Sequence, residues 1–302
     1  MTAVIPDRMA RGEMVRRRRL RPKRIALYAF LIATALLWLF PILWAVYSSL
    51  RPYSETQQFG YVSIARSLTL DNYVNAWSEA QLPMRFLNTI IIVIPALAIV
   101  LLLASAIGYA LSRFSFRFNL FLLMLFTAGN LLPPQVIITP LFRMYLALPL
   151  PAPLSDNGTW YDQYFGIMAI HVAFQLGFAT FVLSNFMRTL PREITEAALV
   201  DGASVLRTFW QVILPLSRVP LAALSTLLFT WMYNDFYWAL VLMRSGDKRP
   251  ITSALNDLQS MFFTDFNLLA AGSVIVALPT LIVYLLLQRH FVRGLTLGST
   301  TG

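Results

Sequence analysis

The sequence contains no cysteine and only two histidines, His171 and His290, among its 302 residues. Without a thiol there is no disulfide, no thiolate nucleophile and no sulfur ligand for a metal. No acidic cluster surrounds either histidine, and no His-Glu-x-x-His pattern occurs, so a zinc hydrolase or a structural zinc site has nothing to build on. The thirteen glycines never fall into a G-x-x-x-x-G-K-[S/T] loop, so the chain cannot cradle ATP phosphates in that way. Nucleophile–base and paired-carboxylate arrangements are missing too, and no catalytic residue is assigned. Charge is scarce: 13% of residues are charged, where a soluble domain carries about 25%. Lysine occurs only as Lys23 and Lys248.

What fills the chain is apolar, 58% of it. Six stretches are long enough for a bilayer core of about 30 Å, which takes about 20 apolar residues. They lie near Ile25–Leu50, Phe86–Leu111, Phe118–Phe142, Phe165–Phe186, Val219–Met243 and Leu268–Gln288. Each is expected to be helical, because lipid offers no partner to an unpaired backbone group. Prolines Pro41, Pro95, Pro133, Pro134 and Pro279 are expected to kink them. The fold class is therefore an all-α membrane protein with six transmembrane helices.

Topology follows the basic residues. Seventeen of the 24 fall in the arm before the first span, the second–third and fourth–fifth loops, and the tail. That side is expected to be cytoplasmic, with both termini on it. The chain then divides into a basic arm (1–24), a membrane domain (25–288) and a tail (289–302). The arginine run before Arg24 reads as a topology signal and not as a nucleic-acid patch. The apolar run behind it, about 26 residues, outlasts a signal peptide's h-region of about 7–15, so the first span is expected to be retained.

Polar residues inside spans are the candidates for a solute path: Asn88, Asn130, Gln135, Gln175, Asn234, Asp235 and Tyr237. Each has a structural alternative as an interhelical hydrogen-bond former, as has His171. Asp235 is the only acidic residue deep in a span and is functional by default, although one carboxylate is a thin basis for an ion relay.

Between the fourth and fifth spans lies the one polar segment with the pattern of a joint, 191–215. Pro191 suits the first position of a helix. Glu193 and Glu196 lie in its early turns, where the dipole favours negative charge. Gly202 suits its end, Ser204 can cap a second helix from Val205 to Leu214, and Pro215 breaks the chain before the fifth span. Ala197 and Ala198 give the first helix a flat face, Leu199 and Val200 an apolar one. By spacing alone this is either a docking device or an amphipathic helix resting on the membrane surface.

Glu196-Ala197-Ala198, then Asp201-Gly202-Ala203, then Ile213-Leu214-Pro215 resembles the "EAA" loop of permease subunits of bacterial ABC importers. Trp231 to Leu240 resembles the "WNEF-WAL" segment of the MalG-like carbohydrate-uptake permeases, with Met232 and Tyr233 interposed and Asp235 in place of the usual glutamate. Ala106–Phe116 is similar to their "AYALARF-F" stretch and Phe291–Gly298 to their "FVRGLT-G" tail, although Ser299-Thr300-Thr301-Gly302 departs from the usual end.

The resemblance implies a type I ABC importer permease in the bacterial cytoplasmic membrane, moving a di- or oligosaccharide by alternating access. It implies a second homologous permease, two ATP-binding subunits that hold ATP and Mg, and an extracytoplasmic sugar-binding protein, with no cofactor on this chain. Glu196, Ala197, Ala198, Leu199, Asp201, Gly202 and Ala203 would couple to the ATPase. The outer loops, about 51–85, 143–164 and 244–267, would receive the binding protein. Thr69 to Ala80 reads there as a short capped amphipathic helix, either meeting that protein or resting on headgroups. The alternatives are an ABC permease for a peptide, polyamine or phosphodiester, and an ion-coupled carrier.

Overall fold

Among the residues the structure describes, four helices are long and apolar enough to cross a membrane: Lys23–Ser49, Leu82–Arg113, Tyr164–Thr189 and Phe266–Gln288. They belong to a computed structural model that describes residues 22–129, 133–258 and 264–296. The expected arm from Arg8 to Arg21, the path candidate Asn130 and the tail from Ser299 to Gly302 lie outside the described residues. Among those described there are only helices, turns and loops, with isolated bridging such as that between Pro149 and Thr159.

In chain order the helices are α1 (Pro22–Ser49), α2 (Tyr53–Phe59), α3 (Asp71–Glu79), α4 (Leu82–Arg113), α5 (Asn119–Gly129), α6 (Pro134–Ala147) and α7 (Tyr164–Thr189). After them come α8 (Arg192–Val200), α9 (Val205–Thr208), α10 (Leu214–Leu216), α11 (Arg218–Tyr233), α12 (Tyr237–Leu242), α13 (Ile251–Asp257) and α14 (Phe266–Thr296).

Two further helix pairs are sharply bent. Phe121–Gly129 and Pro134–Ala147 meet at 92°, and Val205–Leu216 and Arg218–Tyr233 at 74°. Counting each bent pair as one broken span brings the number to six. The first bend has a physical reason in Pro134, which opens α6 behind an extended Pro133 (ψ 129°). The helix also stops at Tyr233 and restarts at Tyr237, where the sequence reading ran one span from Val219 to Met243. Pro41, Pro95 and Pro279 lie inside α1, α4 and α14, which continue past them.

The chain forms two units, residues 1–47 and 48–302. The described part of the first is α1 up to Tyr47. Along it Phe40 stacks on Trp44 and Tyr47 tilts against Trp44, with ring centroids 5.8 and 5.4 Å apart.

The second unit is organised on α4 and α7. Val93, Ala96, Val100 and Ala104 recur every three or four residues on α4 and are buried against Ala179, Leu183 and Met187 of α7. Gly108 continues the stripe. A Cβ there would lie 3.1 Å from the Ser184 backbone nitrogen and 3.3 Å from Leu183 Cβ, so the two backbones nearly touch. Small residues at close helix contacts are the usual way to pack without a hydrophobic driving force. Leu224, Leu228 and Met232 of α11 close this core. A second cluster joins α3, α13 and α14 through Ala76, Ile251, Ala254 and Ala271, and the Tyr233 hydroxyl donates to the Val276 carbonyl at 2.9 Å. The outward faces stay apolar and exposed, as with Ile90, Ile94 and Leu102 on α4 and Leu281, Leu285 and Leu286 on α14. Lipid, not water, suits that pattern.

At the end of the unit that holds α2 and α3, polar side chains tie the chain to itself. Buried Arg51 donates to the Tyr61 carbonyl and to Ser63 Oγ, each at 2.8 Å. Asn72 and Asn267 both donate to carbonyls of residues 48–51. The Ser67 hydroxyl and the Arg66 N–H donate to Glu55 and hold its carboxyl below the usual range. The short helix expected between Thr69 and Ala80 is α3, and Thr69 Oγ1 accepts from the Asp71 N–H at 3.0 Å. Asp162, in the left-handed region at φ 61°, accepts from the backbone N–H groups of Arg244 and Ser245 and so fastens the loop before α7 to the loop after α12.

Candidate functional site

Helix α8 begins one residue later than its sequence suggests. Pro191 has ψ 136° and stands outside the helix as its cap residue, and Leu190 before it is extended at ψ 135°, the conformation proline imposes on its predecessor. Glu193 lies in the first turn. Only Thr195 is buried; Glu196, Ala197, Leu199 and Val200 are exposed, Val200 to 88%.

The helix ends as Gly202 requires. Gly202 has φ 79° and its N–H donates to Leu199 at 3.0 Å, while the Ala203 N–H reaches back to Ala198 at 3.0 Å. These two bonds form a Schellman motif, which satisfies the last carbonyls and fixes the exit direction. Ser204 follows at once as the cap of α9, its Oγ accepting from the Arg207 N–H at 3.3 Å. The joint therefore has a closed end and a capped start with no slack residue between them.

Beyond α9 the chain widens into a π turn at Phe209–Ile213, in which the Leu214 N–H donates to the Phe209 carbonyl. Pro215 supplies no N–H, and Ser217 closes the segment by donating from its N–H and its hydroxyl to Ile213. The 74° bend follows. Phe209 and Ile213 point into the α4–α7–α11 core, and the Phe209 ring centroid is 5.5 Å from that of Tyr109. Leu206 and Trp210 face outward. Phe209→Ala is expected to remove about 3–5 kcal/mol of packing. Thermal unfolding and hydrogen exchange over residues 192–216 in the purified protein check this; unchanged protection there contradicts it.

The second polar feature is the break between α11 and α12. Asn234 ends α11 with its side chain donating to the Thr230 carbonyl at 2.8 Å and is exposed. Asp235 Oδ1 accepts from the Trp238 N–H at 3.4 Å, which makes the carboxylate the side-chain cap of α12. Its other oxygen, Oδ2, is buried without a hydrogen bond, and His171 Nε2 of α7 lies 3.8 Å from it. Gln175 is one turn further along α7, half-buried, on the face of His171. Phe174 packs on Trp238 at 5.2 Å and Tyr237 on the same ring at 5.4 Å. A cleft of about 350 Å³ opens beside the break, lined by Asn234, Phe236, Thr252, Leu255 and Asn256.

Of the path candidates, Asp235, Asn234 and Tyr237 thus share one break, with Gln175 nearby on α7. Asn88 is not among them. It is buried, donates to the Asp247 and Arg249 carbonyls at 2.6 and 3.0 Å, and accepts from the Tyr164 hydroxyl at 2.7 Å, so its polar atoms are used in holding the loop. Gln135 is exposed in the first turns of α6. The His171–Asp235 pair is what sequence reasoning missed; a lone histidine and a lone acid in two different spans are the signal that points to it. Asp235→Ala is expected to destabilise the protein more than Asp235→Asn, by about 1 kcal/mol for the lost cap. A double-mutant cycle with His171→Phe, read by thermal unfolding, should show coupling of about 0.5–3 kcal/mol; strict additivity contradicts the pairing.

Lipid-length helices with a closed, protruding helix–turn–helix between the fourth and fifth expected spans define a multi-pass membrane protein built around an external joint. The chain belongs to the family of binding-protein-dependent transport system inner membrane components, which it matches over residues 104–297. It is 32% identical over 274 residues to the diacetylchitobiose uptake system permease protein of Streptomyces coelicolor, covering 90% of this chain and 87% of that one. It is 31% identical over 271 residues to the arabinooligosaccharides transport system permease protein of Halalkalibacterium halodurans, covering 89% and 93%. Its fold matches a chain in the crystal structure of a bacterial ABC transporter involved in the import of the acidic polysaccharide alginate, with a TM-score of 0.74, 22% identity, and 89% and 96% of the two chains covered. The fold is that of a type I ABC importer permease, and the chain is a transport subunit and not an enzyme.

Proposed function

We propose that this chain is the permease subunit of an ATP-driven importer for a sugar, a di- or oligosaccharide. It crosses the cytoplasmic membrane six times with both termini inside, and it works with a second homologous permease, two ATP-binding subunits and an extracytoplasmic binding protein. ATP and Mg are held by the partner ATPases. The basic residues support this orientation, with seventeen of 24 on the side of the 191–215 joint. The names of the relatives support the sugar cargo.

The observation that carries the coupling reading is the exposed end of α8. Ala197, Leu199 and Val200 stand clear of the fold, while Phe209 and Ile213, a few residues on, are buried in the core of the spans. Glu196, Ala197, Ala198, Leu199, Asp201, Gly202 and Ala203 form the surface that docks on the ATPase. When the ATPase dimer closes, the joint moves, and the core that grips Phe209 moves with it. ATP biases the inward–outward equilibrium because the contacts at this surface differ between the two states. On the solute side, Asn234, Asp235, Tyr237 and Gln175 offer the hydrogen-bonding and aromatic groups a sugar needs.

Reconstitution of the four subunits in liposomes with the matched binding protein tests the reading. Labelled oligosaccharide is expected to enter only with ATP present. Uptake by the permease alone on an ion gradient, or uptake of peptide in preference to sugar, contradicts it.

A further inference from the structure

A cavity of about 360 Å³ lies where α4, α5, α7 and α8 come together, lined by Ser112, Arg113, Ser115, Asn119, Arg188 and Arg192, with Leu111 and Phe114. No carboxylate lines it. Three guanidinium groups at one hollow repel each other, and something must offset that.

The ends of α4 and α7 offset part of it. Arg113 Nη1 donates to the Leu190 carbonyl at 3.0 Å and Arg188 Nη2 to the Leu111 carbonyl at 3.4 Å. Each helix C-terminus counts as about half a negative charge, so two of them leave a surplus of about two positive charges. Arg192 sits worse still. It is the first residue of α8, where a helix disfavours a cation, and it is exposed. Unmet donors and acceptors adjoin the hollow: Arg113 Nε and Nη2 and Asn119 Oδ1 are buried without a hydrogen-bond partner. Arg113 and Arg188 close the last turns of two helices read as spans, which is headgroup depth. The neighbouring Phe114, Phe116 and Phe118 are exposed, at the level where aromatic side chains settle at the membrane interface.

We propose that this hollow binds the phosphate of an anionic phospholipid headgroup, with Arg113, Arg188 and Arg192 as its ligands. Basic pockets between spans at the cytoplasmic face suit that chemistry. The placement rests on the orientation given under Proposed function. Since Arg192 opens the helix that bears Glu196, a bound headgroup ties the joint to the inner leaflet.

Native mass spectrometry of the purified transporter in detergent, titrated with dioleoyl phosphatidylglycerol or dioleoyl phosphatidylcholine, tests this. Phosphatidylglycerol should bind preferentially. Arg192→Gln, a change at an exposed side chain, should weaken it about fivefold, and Arg188→Gln/Arg192→Gln about 25-fold, with phosphatidylcholine unaffected. Equal retention of phosphatidylglycerol by the double variant overturns the site. Inorganic phosphate that binds as tightly as phosphatidylglycerol overturns the lipid as its source. Glu196→Lys separates the two readings: it should lose transport yet keep the lipid, so a failure of the coupling role leaves the lipid result standing, and the reverse.

Discussion

Gly202→Pro in the assembled transporter is expected to abolish ATP-driven uptake while the permease still inserts and assembles in the membrane. The native residue has φ 79° and donates its N–H to Leu199 at 3.0 Å. Proline is locked near −65° and has no N–H, so neither the turn nor the bond survives. A Cβ at this position would meet nothing within 4 Å. The damage is therefore to the backbone of the joint and not to packing. Gly202→Ala, which must hold an L residue in the left-handed region, costs about 1–2 kcal/mol and should leave partial uptake. Glu196→Lys completes the series: the side chain is exposed, so the change should leave the fold alone and reverse the charge on the surface proposed to meet the ATPase. Uptake and binding-protein-stimulated ATP hydrolysis in liposomes are the readouts. Normal values for Gly202→Pro or Glu196→Lys refute the coupling role.

The opposite behaviour is expected of Gly108→Leu, which should destabilise the fold itself and lower the yield of assembled protein. A first side-chain carbon there already lies 3.1 Å from the Ser184 nitrogen and 3.3 Å from Leu183 Cβ. One of these neighbours is backbone and cannot rotate away. Leucine adds three more carbons at the closest point of the α4–α7 contact, and overpacking of this kind costs about 1–3 kcal/mol or more. Gly108→Ala, which needs a shift of a few tenths of an ångström, should fall between. Yield of monodisperse protein and its thermal midpoint are the measures; wild-type values for Gly108→Leu contradict the close approach. One glycine thus fails in motion and the other in assembly.

The difference shows what the sequence could tell. Local chemistry was readable. Gly202 had to end a helix, Ser204 had to start one, and the long apolar runs had to be helices, because each of these follows from backbone hydrogen bonds within a few residues. A break before the fifth span was readable from Pro215, but its 74° angle was not, and the break at 234–236 was not readable, since one Asn-Asp pair between apolar residues does not by itself stop a helix. At the break no proline or glycine interrupts the pattern. The helix yields because Asp235 caps the next one and Thr252 donates to the Asp235 carbonyl from a distant segment. Of the two readings open for Asn88, the hydrogen-bonding one could not be picked out for the same reason: its partners at 247 and 249 are some 160 positions away. The Asp235–His171 approach likewise depends on how α7 and α11 pack, and no spacing rule reaches across 64 residues.

The bend at Ser217 sets a mechanical ratio. The segment from Val205 to Leu216 is about 18 Å long at 1.5 Å per residue, and it meets α11 at 74°. Turning that arm by about 10° around its hinge would swing the Gly202 end by about 3 Å, while Ile213, close to the hinge, would travel about 1 Å. On the coupling role proposed for α8, the arm would act as a reduction gear: a large stroke at the ATPase would arrive among the spans as a small displacement with correspondingly greater force. A tightly packed core can use a stroke of that size.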